Sequence, residues 1–98
     1  MLIPKEITVG NTTYTVTKVR ITRRANTLGR IDYATRYIAL STHDYLGNEI
    51  CNDEMCDTFW HEVTHAILHN MKHKLRNDEK FVSMFGTLLA DSINSAKL

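Results

Sequence analysis

Apolar and polar positions along this chain change period once, from two residues to nearly four. From Ile7 to Val9 and from Tyr14 to Ile21, β-branched and aromatic residues alternate with Thr and Lys, the pattern of half-buried strands, and Gly10-Asn11 between them suits a hairpin turn. Arg23 to Gly29 is polar and contains a Gly, so it reads as a loop. Arg30-Ile-Asp-Tyr and Thr35 to Ser41 then form a second hairpin around Ala34, and His43 to Asn52, with Gly47-Asn48, leads out of the sheet. There the period becomes helical. Asp53 to Met71 contains neither Gly nor Pro, and Met55, Phe59, Val63, Ala66 and Ile67 recur at helical spacing, with Trp60, Leu68 and Met71 widening the stripe. A helix apolar over so much of its circumference is expected to be buried. After a charged connection, Lys72 to Asn77, the residues Phe81, Phe85, Leu88, Leu89 and Ser92 mark a second amphipathic helix, capped by Asn77 or Asp78.

Strands first and helices last predict an α+β domain in which a small twisted antiparallel sheet of about four strands packs on two helices. The 98 residues suffice for one domain spanning residues 1–98. A chain of this size buries roughly 60 to 70% of its unfolded surface, enough for a modest core and a shallow cleft. Hydrophobic content of 43% with 23% charge is globular, and a net charge of +1 gives no global pull toward nucleic acid or an anionic membrane. Lys18, Arg20, Arg23, Arg24, Arg30 and Arg36 form a local basic excess, but without interleaved aromatic residues they read as a solvated strand face and loop, so nucleic acid is not the expected partner. The N-terminal residues lack a basic region followed by a long apolar run, and no segment approaches 18 consecutive apolar residues. The expected location is the cytoplasm. Cys51 and Cys56, the two cysteines, would lie about 140° apart around a helix axis, which strains a disulfide, so reduced thiols are expected.

Composition leaves the function open; the motif helix narrows it. His61-Glu62-Val63-Thr64-His65 is an HExxH pentapeptide. Helical positions four apart lie one above the other, so the two imidazoles can chelate one divalent ion while Glu62, next round the turn, reaches a water on that ion as general base. Shuffling this composition produces such a pentapeptide in about one chain in eighty, so its context decides. Here it lies on a long apolar helix, where two His and a Glu are costly to bury without a partner. A Cys2His2 finger from Cys51, Cys56, His61 and His65 is excluded, because fingers need about twelve residues between the second Cys and the first His.

Catalytic zinc sites have three protein ligands, so a third side chain is required. His69 lies eight residues beyond His61, about 12 Å of helix rise, too far to share an ion held within about 2 Å of each ligand. His73 is farther still. Asp78 and Glu79, at the start of the second helix, are the remaining candidates. Periodicity leans toward Asp78, four residues before Val82, whereas side-chain reach favours Glu79.

The segments Gly29-Arg-Ile-Asp-Tyr and Tyr37-Ile-Ala-Leu, then Asp57 through His69 with its HExxH, then Asn77-Asp-Glu-Lys-Phe-Val with Phe85 and Leu88-Leu89, resemble small phage-encoded zincin-like metallopeptidases related to the ImmA/IrrE type. The resemblance spans roughly Gly29 to Leu89. It implies a strand meander, an active-site helix, and a later helix supplying a Glu ligand, which falls on Glu79. A metzincin extension does not fit, since its Gly and third His would fall on Leu68 and Met71.

The expected activity is therefore that of a zinc-dependent endopeptidase, with His61, His65 and Glu79 holding Zn2+ and Glu62 as general base. Tyr45 or His43 is a candidate additional donor. The expected partner is a protein or peptide substrate, which for a phage-encoded chain is a phage or host regulatory protein. The strand from Thr35 to Ser41, last before the motif helix, is expected to offer its backbone edge to an extended substrate. The alternative is a non-catalytic interaction module of phage origin that uses zinc for stability.

Overall fold

The computed structural model describes residues 1–20 and 28–97. The expected strand end at Ile21, with Arg23, Arg24 and most of the polar loop, lies outside the described residues.

Strands β1 (Glu6–Val9) and β2 (Thr12–Val19) pair antiparallel with Val9 opposite Thr12. This leaves a two-residue turn, and Gly10 takes φ of +60°, a conformation that glycine adopts without steric penalty. Strands β3 (Gly29–Asp32) and β4 (Tyr37–Ser41) form the second hairpin, with Asp32 opposite Tyr37. Its turn is held by Asp32 Oδ1, which accepts the Thr35 N–H at 2.9 Å, and Arg36 reverses the chain at φ of +59°.

The sheet order is β1-β2-β4-β3, and the two hairpins join through a parallel β2–β4 pair. An all-antiparallel sheet was the expectation from sequence, and the mixed sheet corrects it. Both β2 and β4 are second strands of their hairpins, and the two hairpin turns lie at the same end of the sheet, so the strands run the same way side by side. What selects β4 for the interior is burial: Ile38 and Leu40 are wholly inaccessible, and Ala39 and Ser41 nearly so. Because β4 is bonded on one side to β2 and on the other to β3, it has no free edge to offer a substrate. The substrate-edge role expected of Thr35 to Ser41 is thereby refuted. The exposed edge next to the motif helix belongs to β3.

Asp44 organises the loop after β4, its Oδ1 accepting the N–H groups of Leu46 and Asn48 at 2.9 Å each. Helix α1 (Asn52–Asn70) follows, with Asp53 and Glu54 in its first turn and His69 in its last, charges that complement the macrodipole. It lies across β1, β3 and β4 and buries Met55, Phe59, Val63 and Ala66 against Tyr14, Ile38 and Leu40. Ile67 and Met71, expected in the buried stripe, are exposed. Both cysteines are free thiols, Cys56 buried and Cys51 exposed.

Helix α2 (Glu79–Ser95) is capped by Asp78, whose Oδ1 accepts the Phe81 N–H at 3.0 Å. Among the described residues it packs on α1 alone. Its buried stripe is Val82, Gly86 and Ala90, while Phe85 and Leu88 face outward, so the expected apolar face is rotated from the observed one. The reason is close approach. A Cβ on Gly86 would stand 2.9 Å from His61 Cα, so small residues line this crossing and large ones cannot. No helix among the described residues is long and apolar enough to cross a membrane.

Candidate metal centre

Helical spacing stacks His61 and His65 on the side of α1 that meets α2 and β3, with ring centroids 5.0 Å apart. Two glycines bring the neighbouring elements close. Gly86 lets α2 lie against the His61 backbone, and Gly29 lets β3 close over the helix, since a Cβ there would stand 2.5 Å from Thr58 Cγ2 and 3.4 Å from Glu62 Cγ. The first residue of α2 is then within reach of both rings. Glu79 Oε2 lies 3.1 Å from His61 Nε2, and Glu79 Oε1 lies 2.9 Å from His65 Nε2.

Asp78 does not join them, because its carboxylate is committed to the α2 cap. His69 and His73 also stay outside. The His69 ring stacks on Tyr33 with centroids 3.8 Å apart, and His73 Nδ1 accepts the Leu75 N–H at 3.0 Å. Tyr45 is exposed and His43 Nδ1 pairs with Thr42 Oγ1 at 2.8 Å; neither lines the cavity at the cluster, so neither serves as the additional donor.

The second atoms of the rings carry further information. His65 Nδ1 lies 2.9 Å from the Arg76 carbonyl oxygen, which can only accept, so Nδ1 carries the proton and Nε2 faces Glu79. A bare ring lone pair at 2.9 Å from a carboxylate oxygen is repulsive. A proton shared between ring and carboxylate, or a cation, therefore belongs between them. Burial and the neighbouring His65 lower the His61 pKa, and Glu79 only partly offsets this, which favours the neutral ring that a metal needs. Ligand atoms around a tetrahedral zinc stand about 3.3 Å apart. His61, His65 and Glu79 offer theirs all within 4.8 Å of one another, close enough that modest side-chain rotation would draw the three onto one such ion. Two imidazoles with a carboxylate suit zinc in chemistry as well.

Glu62 is buried, yet no described residue forms a hydrogen bond with its carboxylate, which opens onto the cavity beside the cluster. Desolvation raises its pKa to about 7, with Glu79 adding to the rise and His65 opposing it. The cavity, of about 490 Å³, is walled on one side by Leu28 to Ile31 and Tyr33, Arg30 included, and on the other by Asp57, Thr58 and the motif residues. Ser83 Oγ approaches His61 Nδ1 at 3.5 Å.

Sequence reasoning missed three of these contributions. Tyr33 carried a usable signal, since strand alternation puts it on the same face as Ile31, toward the helix. The Arg76 carbonyl and Ser83 carried none, because each depends on how α2 folds back. No protein-family model matches the chain, and neither a curated protein nor a solved structure does.

Proposed function

We propose that this chain is a zinc-dependent endopeptidase of the zincin-like kind, cleaving a protein or peptide substrate with Glu62 as general base. One observation carries the reading. Three ligand-type side chains converge on one point, and beside them stands a buried carboxylate that takes no part in the cluster and titrates near neutrality. A purely structural metal site has no use for such a group.

His61, His65 and Glu79 would hold the zinc. When bound, such an ion lowers the pKa of a water toward about 7 and polarises a carbonyl. The rest is the work of the chain. Glu62 takes a proton as the water oxygen bonds to the carbonyl carbon, then delivers it to the nitrogen as the C–N bond breaks, so proton and electron pair are both accounted for. The Arg76 carbonyl fixes His65 in the tautomer that presents Nε2.

Substrate placement falls to β3. The Leu28 carbonyl accepts the Ser41 N–H at 2.8 Å, so the backbone groups of Leu28, Arg30 and Asp32 turn toward β4. Those of Gly29 and Ile31 then point to the open side, where an extended peptide can add as a further strand along the cavity. The resemblance to phage-encoded metallopeptidases makes a phage or host regulatory protein the substrate class, in the cytoplasm of the host cell.

A second reading has its own support. Because α2 packs on α1 alone among the described helices and strands, an ion held between them would fasten that helix, and the chain would be a zinc-stabilised interaction module. Incubating the zinc-loaded chain with unfolded casein separates the two. New amino termini that vanish with a chelator and return with zinc are the expected result. Stoichiometric zinc without cleavage would overturn the peptidase reading in favour of the module.

A further inference from the structure

Hydrolysis of an amide places negative charge on the carbonyl oxygen, and a site that catalyses it aims a hydrogen-bond donor at that position. The cavity supplies few. Glu62 and Glu79 only accept as carboxylates, His65 Nδ1 is committed to the Arg76 carbonyl, Thr58 donates to the Glu54 carbonyl at 3.1 Å, and the Arg30 guanidinium lies over the Tyr37 ring, 5.3 Å from its centroid. From the architecture above we infer that Tyr33 is a catalytic residue of the proposed peptidase, its phenol donating a hydrogen bond to the carbonyl oxygen of the scissile bond as negative charge develops there.

The placement follows from the end of β3. Tyr33 is partly buried against the core and lines the cavity that holds the cluster. Its ring is clamped face to face on His69, centroids 3.8 Å apart and planes 11° apart, one helical turn beyond His65. Clamping restricts the ring, so the hydroxyl is positioned before substrate arrives. No described residue accepts the Tyr33 proton, although a half-buried phenol ordinarily finds an acceptor. Burial first, and then the charges of Glu62, Tyr14 and Glu79, push the pKa to about 12, so the phenol keeps its proton. It donates a hydrogen bond and transfers nothing. The charges of Glu62 and Glu79 act on it, which places it across the shared cavity from the reacting groups and near them. The side-chain amide of Asn77, a further donor in the wall, is exposed on the connection between helices, and no described residue holds its plane.

This inference rests on the peptidase reading, and the experiment keeps the two apart. Zinc-loaded wild type, Tyr33→Phe and the control Tyr45→Phe are compared for casein cleavage and for binding of N-phosphoryl-leucyl-tryptophan, whose tetrahedral phosphoryl oxygens imitate the charged oxygen. Phenylalanine keeps the stack on His69. The expected Tyr33→Phe result is a fall in kcat of about 10²- to 10³-fold with little change in KM, the scale of one lost oxyanion donor. Affinity for the phosphoryl dipeptide should fall at least about tenfold, while binding of unmodified leucyl-tryptophan, zinc affinity and melting temperature hold. Tyr45→Phe should match wild type. Equal cleavage and equal phosphoryl-dipeptide binding by wild type and Tyr33→Phe would overturn the role of Tyr33 and leave the peptidase standing. A parallel loss of zinc affinity or melting temperature would overturn it too, by making the phenol structural. Wild type that holds zinc but neither cleaves casein nor binds the phosphoryl dipeptide would overturn both.

Discussion

Glu62 concentrates the physical tension of this molecule in one side chain. Burial raises its pKa from 4.5 to about 7, so between those values the folded chain holds a proton that the unfolded chain has released. Stability of the metal-free protein must then fall as pH rises through that window, and stay lower above it, by on the order of 3 kcal/mol at roughly 1.4 kcal/mol per unit. Glu62→Gln removes the titration. In urea denaturation with chelator present, the glutamine variant should gain on wild type between pH 5 and pH 8; parallel profiles would show that the carboxylate is not strained. Asp78 and Glu79 divide in a different way. Asp78→Ala should cost about 1 kcal/mol through the lost cap and leave zinc bound, whereas Glu79→Ala should lose zinc affinity by a hundredfold or more with the cap intact. Competition against a chromophoric chelator reads the difference, and a larger loss for Asp78→Ala would reassign the third ligand. The pentapeptide made His61, Glu62 and His65 legible in the sequence because helical spacing alone sets their mutual geometry. Choosing Glu79 needed more, since adjacent residues at a helix start differ only in which way the first turn points.

At the scale of elements, the α1–α2 crossing decides where Glu79 stands. Gly86 sits where a Cβ would come 2.9 Å from His61 Cα, a backbone atom that cannot swing aside. Gly86→Ala gains about 1 kcal/mol of helix propensity against an overpacking cost of about 1 to 3 kcal/mol. We expect a net loss of up to about 2 kcal/mol in denaturation and, more tellingly, weaker zinc binding, because α2 must back away from His61. Unchanged zinc affinity in this variant would mean that the crossing does not position the ligand. The sequence shows why α2 was harder to read than α1. In α1 the large apolar residues Met55, Phe59, Val63 and Leu68 are buried, and Ile67 with the C-cap Met71 are the exceptions, so periodicity located its face. In α2 the buried stripe is Val82, Gly86 and Ala90, and the eye is drawn to Phe85 and Leu88, which are exposed. The hairpins were legible from Gly10-Asn11 and from strand alternation. Their parallel junction was not, because alternation says which face a residue takes and nothing about which strand lies alongside.

For the molecule as a whole, a metal at His61, His65 and Glu79 would join the α1–α2 packing, the one contact α2 makes with another described helix or strand, to the chemistry of the site. Binding confined to the folded state stabilises by about 2.7 kcal/mol at a free zinc concentration one hundred times Kd, and a domain of this size shifts by roughly 4 to 8 °C per kcal/mol. Zinc should therefore raise the melting temperature by about 10 °C or more, and scanning calorimetry with and without chelator checks it; an unchanged transition would argue against the ion. Stabilisation alone suits the peptidase and the zinc-stabilised module equally. The measurement that separates them is cleavage of unfolded casein by wild type and Glu62→Gln, each shown to carry one zinc per chain. A general-base role for Glu62 predicts cleavage by wild type and none by the variant at equal metal content, since an amide keeps the shape of the side chain but cannot take the proton of the water. Equal cleavage by the two would contradict it.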